Sequence, residues 1–201
     1  MAKNKIFIGV IGGGDCSDEV YKLAEQVGER IAKAGAVLVC GGLGGVMEAA
    51  SKGAKKEGGT TVGILPGIDK SHANPYIDFP IVTGLGEGRN LLVIRNSDVV
   101  IALPGEYGTL SEIGFCLKLK KPIIGLSTWD VSEAIIKAKN PEEAVKFALN
   151  RVTHVKVGEP LVGSQKTGGD PAKTGFHYAQ QSPPLRKAKT DKQMKVSKDD
   201  G

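Results

Sequence analysis

The segment Pro104-Gly105-Glu106-Tyr107-Gly108-Thr109-Leu110-Ser111-Glu112 carries the densest set of residues able to do chemistry. Gly105 and Gly108 free the backbone, and Thr109 brings a hydroxyl to the opening of a predicted helix. The unpaired N–H groups of such an opening attract an anion such as phosphate. Glu112, one turn further in, lies too deep to serve the phosphate but within reach of a sugar bound beyond it. The spacing Thr109-x-x-Glu112 is equally that of a capping box, in which both side chains merely close the helix. Arg89 is the second candidate, flanked by Glu87-Gly88 and Asn90. Its forked, permanently charged guanidinium suits a phosphate or ribose oxygen and is a poor proton donor.

Glycine marks the remaining candidates. The chain has 28 glycines in 201 residues, about twice the usual share. They cluster as Gly12 to Gly14, Gly41-Gly42 with Gly44-Gly45, Gly84 to Gly88, and Gly105 with Gly108, each just after a predicted strand. In open α/β sheets that edge holds the ligand. Gly12, Gly13, Gly41, Gly42, Gly44, Gly45, Pro104, Gly105, Gly108 and Thr109 are therefore the expected binding residues, and the expected ligand is a small phosphate ester.

Commoner nucleotide sites are excluded. Gly12, Gly14 and Ser17 match only two of the three glycines of a dinucleotide fingerprint, and the second strand ends in Cys40-Gly41-Gly42 where a ribose-binding acid is wanted. No Gly-Lys-Ser/Thr sequence exists for a P-loop. Cys16, Cys40 and Cys116, with His72, His154 and His177, show no metal-ligand spacing. Neither a metal nor a resident cofactor is expected.

The elements that must position these residues follow from periodicity. Short buried runs alternate with amphipathic segments through residue 150, the pattern of a doubly wound parallel sheet in one Rossmann-like α/β domain. Strands are predicted at Lys5 to Ile11, Ala36 to Cys40, Thr60 to Leu65, Ile81 to Thr83, Asp98 to Leu103 and Pro122 to Leu126. A helix from Asp18 to Ala34 takes Ser17 as its cap and Gly35 as its stop. Others follow Gly44-Gly45, span Asn90 to Asn96 and Leu110 to Lys120, and begin after Asn140 with Pro141 and Glu143.

Charge divides the chain. Of 27 Lys/Arg and 22 Asp/Glu, residues 151–201 hold ten and five, so the net +5 lies wholly in that segment. Its composition, with Gly168-Gly169, Pro183-Pro184 and Arg186-Lys187-Ala188-Lys189, cannot bury much surface. Residues 151–163 read as an extension and 164–201 as a basic, disordered tail; contact of the tail with nucleic acid is the weaker reading beside a solvated extension. Apolar runs are too short for a membrane span of about 18 residues. Free thiols and the glycines cutting off the first apolar run argue for a cytoplasmic protein.

The motif Pro104-Gly105-x-x-Gly108-Thr109-x-x-Glu112 resembles the signature of the Lonely Guy (LOG) phosphoribohydrolases, also called lysine decarboxylase-like, and of the related molybdenum-cofactor carriers. Three further segments are similar: Gly41-Gly42-x-Gly44-Gly45-Val46-Met47-Glu48, Gly63-Ile64-Leu65-Pro66-Gly67, and Arg89 nine residues before Asp98. The resemblance covers about residues 5 to 150. It implies a homodimer, and a catalytic pair, Arg89 and Glu112, that cleaves the N-glycosidic bond of a nucleoside 5′-monophosphate. Positive charge then builds on the ribose, which an ionised Glu112 would stabilise, unless it orients the attacking water. Two departures favour the alternative, a non-catalytic carrier of a phosphorylated pterin-type cofactor: Glu106 stands where the hydrolases usually have glycine, and Asn90 where they commonly have lysine. Decarboxylation is disfavoured, since no lysine has a Schiff-base context.

Overall fold

The computed structural model describes residues 5–156, so the expectations for the tail lie outside the described residues. Ile8, Val10, Leu38 and Ile101 are fully buried, as strands covered on both faces require. The strands are β1 (Phe7–Ile11), β2 (Val37–Cys40), β3 (Thr60–Leu65), β4 (Phe79–Val82), β5 (Val99–Ala102), β6 (Ile123–Leu126) and β7 (Ile136–Ala138); the helices are α1 (Asp18–Lys33), α2 (Val46–Lys56), α3 (Asn90–Arg95), α4 (Tyr107–Lys118) and α5 (Pro141–Lys156). All pairings are parallel, in the order β4-β3-β2-β1-β5-β6-β7. The chain winds outward from β1 to β4 and then restarts at β5 on the other side of β1. The crevice beyond the carboxyl ends of β1 and β5 is thus the switch point where such sheets hold ligands.

The two faces have separate cores. On one, Val27, Ile31, Ala50 and Ala148 from α1, α2 and α5 pack on Ile8, Leu38 and Ile101. On the other, Val93 and Ile94 of α3 and Ile113 and Cys116 of α4 cover Ile11, Val100 and Ile123. Helices α1 and α2 touch nearly backbone to backbone: a Cβ on Gly28 would collide with the Ala50 carbonyl, and one on Gly53 with that of Glu25. Gly53→Ala is accordingly expected to destabilise the fold by about 1–3 kcal/mol despite its better helix propensity. A lower urea midpoint at an unchanged slope checks this; an unchanged midpoint would mean that the two helices separate freely.

Helix ends follow local chemistry. Ser17 Oγ accepts from the Val20 N–H at 3.4 Å, and Asn140 Oδ1 accepts from Glu143 N–H at 2.9 Å. The return bond of that box runs from the Lys139 N–H to Glu143 Oε2 at 3.0 Å, one residue upstream of the cap. Two expectations change. Helix α4 opens at Tyr107 rather than Thr109, because Glu106 adopts an extended conformation (φ −90°, ψ −155°) and serves as the cap; it stops at Lys118, with Lys120 at φ 53°. Strand β7 has no counterpart in the sequence reading. Its three residues are too few for a periodicity, and pairing with β6 is what forms it. No helix of the described residues is long and apolar enough to cross a membrane.

Candidate active site

A cavity of about 280 Å³ opens at the switch point. Its frame is a chain of backbone hydrogen bonds: Gly13 donates to the Pro104 carbonyl at 3.0 Å, and its own carbonyl accepts from Val46 N–H at 3.0 Å. The loop after β1 is thereby tied both to the turn before α4 and to the start of α2. Gly45 caps α2 at φ 60°, in the left-handed region, and a Cβ there would strike the Gly13 and Gly14 carbonyls. Only glycine meets both demands.

Of the expected binding residues, Gly12, Gly13, Gly41, Gly108 and Thr109 line the cavity, together with Arg89 and Glu112. Gly42, Gly44, Gly45, Pro104 and Gly105 are not among its lining residues. A Cβ on Gly105 would meet the Thr109 hydroxyl and the Gly13 nitrogen. In Gly42, Gly45 and Gly105 the missing side chain lets neighbouring segments approach closely, a role that a glycine's place in the sequence does not separate from facing a ligand. Asp15, Leu43 and Met47 join the wall unannounced, although Asp15 adjoins the first glycine cluster.

Arg89 ends a 3₁₀ turn at Gly86–Arg89 and is only 6% exposed. Its guanidinium lies against Gly41, where a Cβ would collide with it and with Met47 Sδ. Its Nε is buried with no hydrogen-bond partner. A buried guanidinium left so is costly unless something else satisfies it, and the fork next to it opens on the cavity.

Glu112 is likewise 6% exposed. Because α4 opens at Tyr107, Thr109 is already its third residue, and the capping-box reading loses its cap. Burial pushes the Glu112 carboxyl up to about 8; Arg89 pulls it back down, and Glu87 adds a smaller push upward. The sequence reading takes Glu112 as ionised, but desolvation outweighs the single cation and favours the protonated form. A protonated carboxyl can donate, which a carboxylate cannot. Glu106, exposed, lies on the same wall, as do Glu87 and Asp15. Asn90 is buried, and its amide donates a long 3.5 Å bond to Glu87. Among the described residues no three of His, Cys, Asp and Glu converge to hold a metal ion.

The family model described as SLOG cluster4 matches residues 5–156. The chain belongs to the SLOG cluster4 family. A SLOG relative of this chain, an uncharacterized protein of Archaeoglobus fulgidus, is 46% identical over 143 residues, 71% of this chain and 94% of its own. A cytokinin riboside 5′-monophosphate phosphoribohydrolase of Mycobacterium tuberculosis is 36% identical over 121 residues, 55% of this chain and 64% of its own. This SLOG chain thus spans a little under two thirds of that enzyme. Among solved structures, the molybdenum cofactor binding protein of Rippkaea orientalis is similar with a TM-score of 0.71 and 39% identity, over 74% of this chain and 98% of its own. The molybdenum cofactor carrier protein of Chlamydomonas reinhardtii gives 0.69 and 34%, over 75% and 99%. The SLOG assignment agrees with the LOG-like resemblance carried by the motifs around Gly41, Arg89 and Glu112.

Proposed function

We propose that this protein cleaves the N-glycosidic bond of a nucleoside 5′-monophosphate, releasing ribose 5-phosphate and the free base. The observation that carries the reading is the shared cavity of Arg89, with its unsatisfied buried nitrogen, and Glu112, a buried carboxyl whose surroundings favour its protonated form. The phosphate is held at the opening of α4 by the N–H groups around Gly108 and Thr109. Arg89 grips a ribose or phosphate oxygen. Glu112 gives its proton to the departing base as the C1′–N bond breaks and its electron pair leaves with the base nitrogen. The carboxylate so formed faces the positive ribose ring. It then takes a proton from the water whose oxygen joins C1′, which restores the neutral acid. Incubating the purified protein with a panel of nucleoside 5′-monophosphates and assaying ribose 5-phosphate and free base tests this directly; no product from any of them would overturn it.

A second reading, a carrier of a phosphorylated pterin-type cofactor, is supported by Glu106 on the cavity wall and by the end-to-end likeness to the two molybdenum cofactor proteins. A carboxylate there repels a phosphate. Glu106→Gly is therefore expected to tighten ribose 5-phosphate binding by about fivefold, or about 1 kcal/mol across a partly solvated gap, as read by calorimetry. Unchanged affinity would mean that Glu106 turns away from the ligand, and the argument from Glu106 for a carrier would fall. The same resemblance implies a homodimer. The three free thiols, Cys16, Cys40 and Cys116, fit the reducing cytoplasm.

A further inference from the structure

The far side of the turn before α4 takes no part in the chemistry above. There the ends of β6 and β7 open a second cleft of about 320 Å³, walled by Thr128, Trp129, Ile135 and Lys137 among others. Trp129 is the only tryptophan of the chain. Its indole N–H donates to the Gly105 carbonyl at 2.8 Å, and the Thr128 hydroxyl donates to Leu103 O at 2.9 Å. Just before them Ser127 holds φ 55°, an uncommon conformation for a residue other than glycine. The loop after β6 is therefore fixed, at some strain, onto the turn that starts α4. Next to Trp129 stands Tyr107, the first residue of α4 and 80% exposed. Their ring centroids are 6.3 Å apart with planes tilted by 33°. That separation makes them a contacting pair rather than the two walls of a slot, with Tyr107 much the more exposed of the two.

We propose that Tyr107 and Trp129 form a stacking platform for a planar heteroaromatic ring of a phosphate ester whose phosphate occupies the opening of α4. The inference rests on the phosphate reading above and names the ligand class more closely. At about 280 Å³ the main cavity falls just below the usual range of ligand sites, about 300 to 1,000 Å³. The second cleft, across the same turn, is slightly larger. A ligand using both has two ring-bearing halves joined through phosphate, one half at Glu112 and the other against Trp129, which walls the second cleft with Tyr107 beside it. The hydrogen bond that fixes the indole preorganises its face, so less ordering accompanies stacking.

Because Trp129 is the sole tryptophan, its fluorescence reports the platform directly. The full-length chain is titrated with ribose 5-phosphate, AMP and P1,P2-diadenosine pyrophosphate. The dinucleoside is expected to quench Trp129 and to bind about tenfold more tightly than AMP, the usual scale of one stacked base. Tyr107→Ala should remove that tenfold while leaving ribose 5-phosphate binding unchanged. Trp129→Phe, read by calorimetry, keeps a ring and should retain most of the gain. Ribose 5-phosphate binding without any dinucleoside advantage, or a Tyr107→Ala variant with undiminished dinucleoside affinity, would overturn the platform and leave the phosphate reading standing. Quenching by the dinucleoside with no binding of ribose 5-phosphate would leave a stacking contact at Trp129 but overturn the phosphate reading and, with it, the anchored two-ring ligand.

Discussion

Glu112→Gln is expected to slow mononucleotide cleavage by about 10²-fold or more while the protein still folds and binds ribose 5-phosphate. The loss corresponds to about 3 kcal/mol of transition-state stabilisation, the scale on which positioned polar groups act. Glutamine occupies nearly the same volume and keeps a donor, but it cannot release a proton to the base or become the carboxylate that faces the ribose. The loss should appear in kcat. Arg89→Ala, by contrast, should raise KM as well, since the guanidinium holds substrate before and during the reaction. Under the proposed mechanism the protonated form of Glu112 starts the reaction, so the wild-type kcat should fall as pH rises through about 8. Activity that instead climbs toward pH 8 would mean that the carboxylate starts the reaction, and the order of proton transfers would have to be reversed.

The same carboxyl links stability to pH. Its folded-state value, about 8, lies above its ordinary 4.5, so between those limits the folded protein holds a proton that the unfolded chain has released. The stability present below pH 4.5 is therefore lost progressively as pH rises to about 8 and stays lost above it. At about 1.4 kcal/mol per pKa unit, the loss is on the order of 4 to 5 kcal/mol. Glutamine does not ionise, so Glu112→Gln should gain on the wild type by that amount between pH 4.5 and pH 8.5 in urea unfolding. A difference that stays constant across this range would mean that Glu112 is solvated in the folded protein, and the proton-donor mechanism would lose its source.

Local signals carried most of the fold. Ser17 and Gly35 bound α1 as expected, Gly35 at φ 71°, and β3 spans Thr60–Leu65 as its apolar run and the closing Pro66-Gly67 suggest. Thr109 misled because a hydroxyl three residues before a glutamate imitates a cap, whereas the extended Glu106 provides the break. The candidate site was legible as a set of loops but not as a surface. Which glycines face a ligand depends on contacts such as Gly13 with Pro104, ninety-one residues apart in sequence. The protonation of Glu112 depends on burial under neighbours from other elements, and no local pattern encodes it. Trp129 reaches Gly105 across 24 residues with nothing in the sequence to announce the bond.

Both margins of the sheet are blunted. On one side β4 carries Pro80 opposite Gly63, which removes a backbone donor from the outermost strand. On the other, β7 offers only three residues, with Lys137 at its centre. Among the described residues a neighbouring chain therefore finds no long row of free N–H and C=O groups on which to add a strand, the usual route by which exposed sheets grow into aggregates. Edge-to-edge growth through the described sheet is thereby disfavoured.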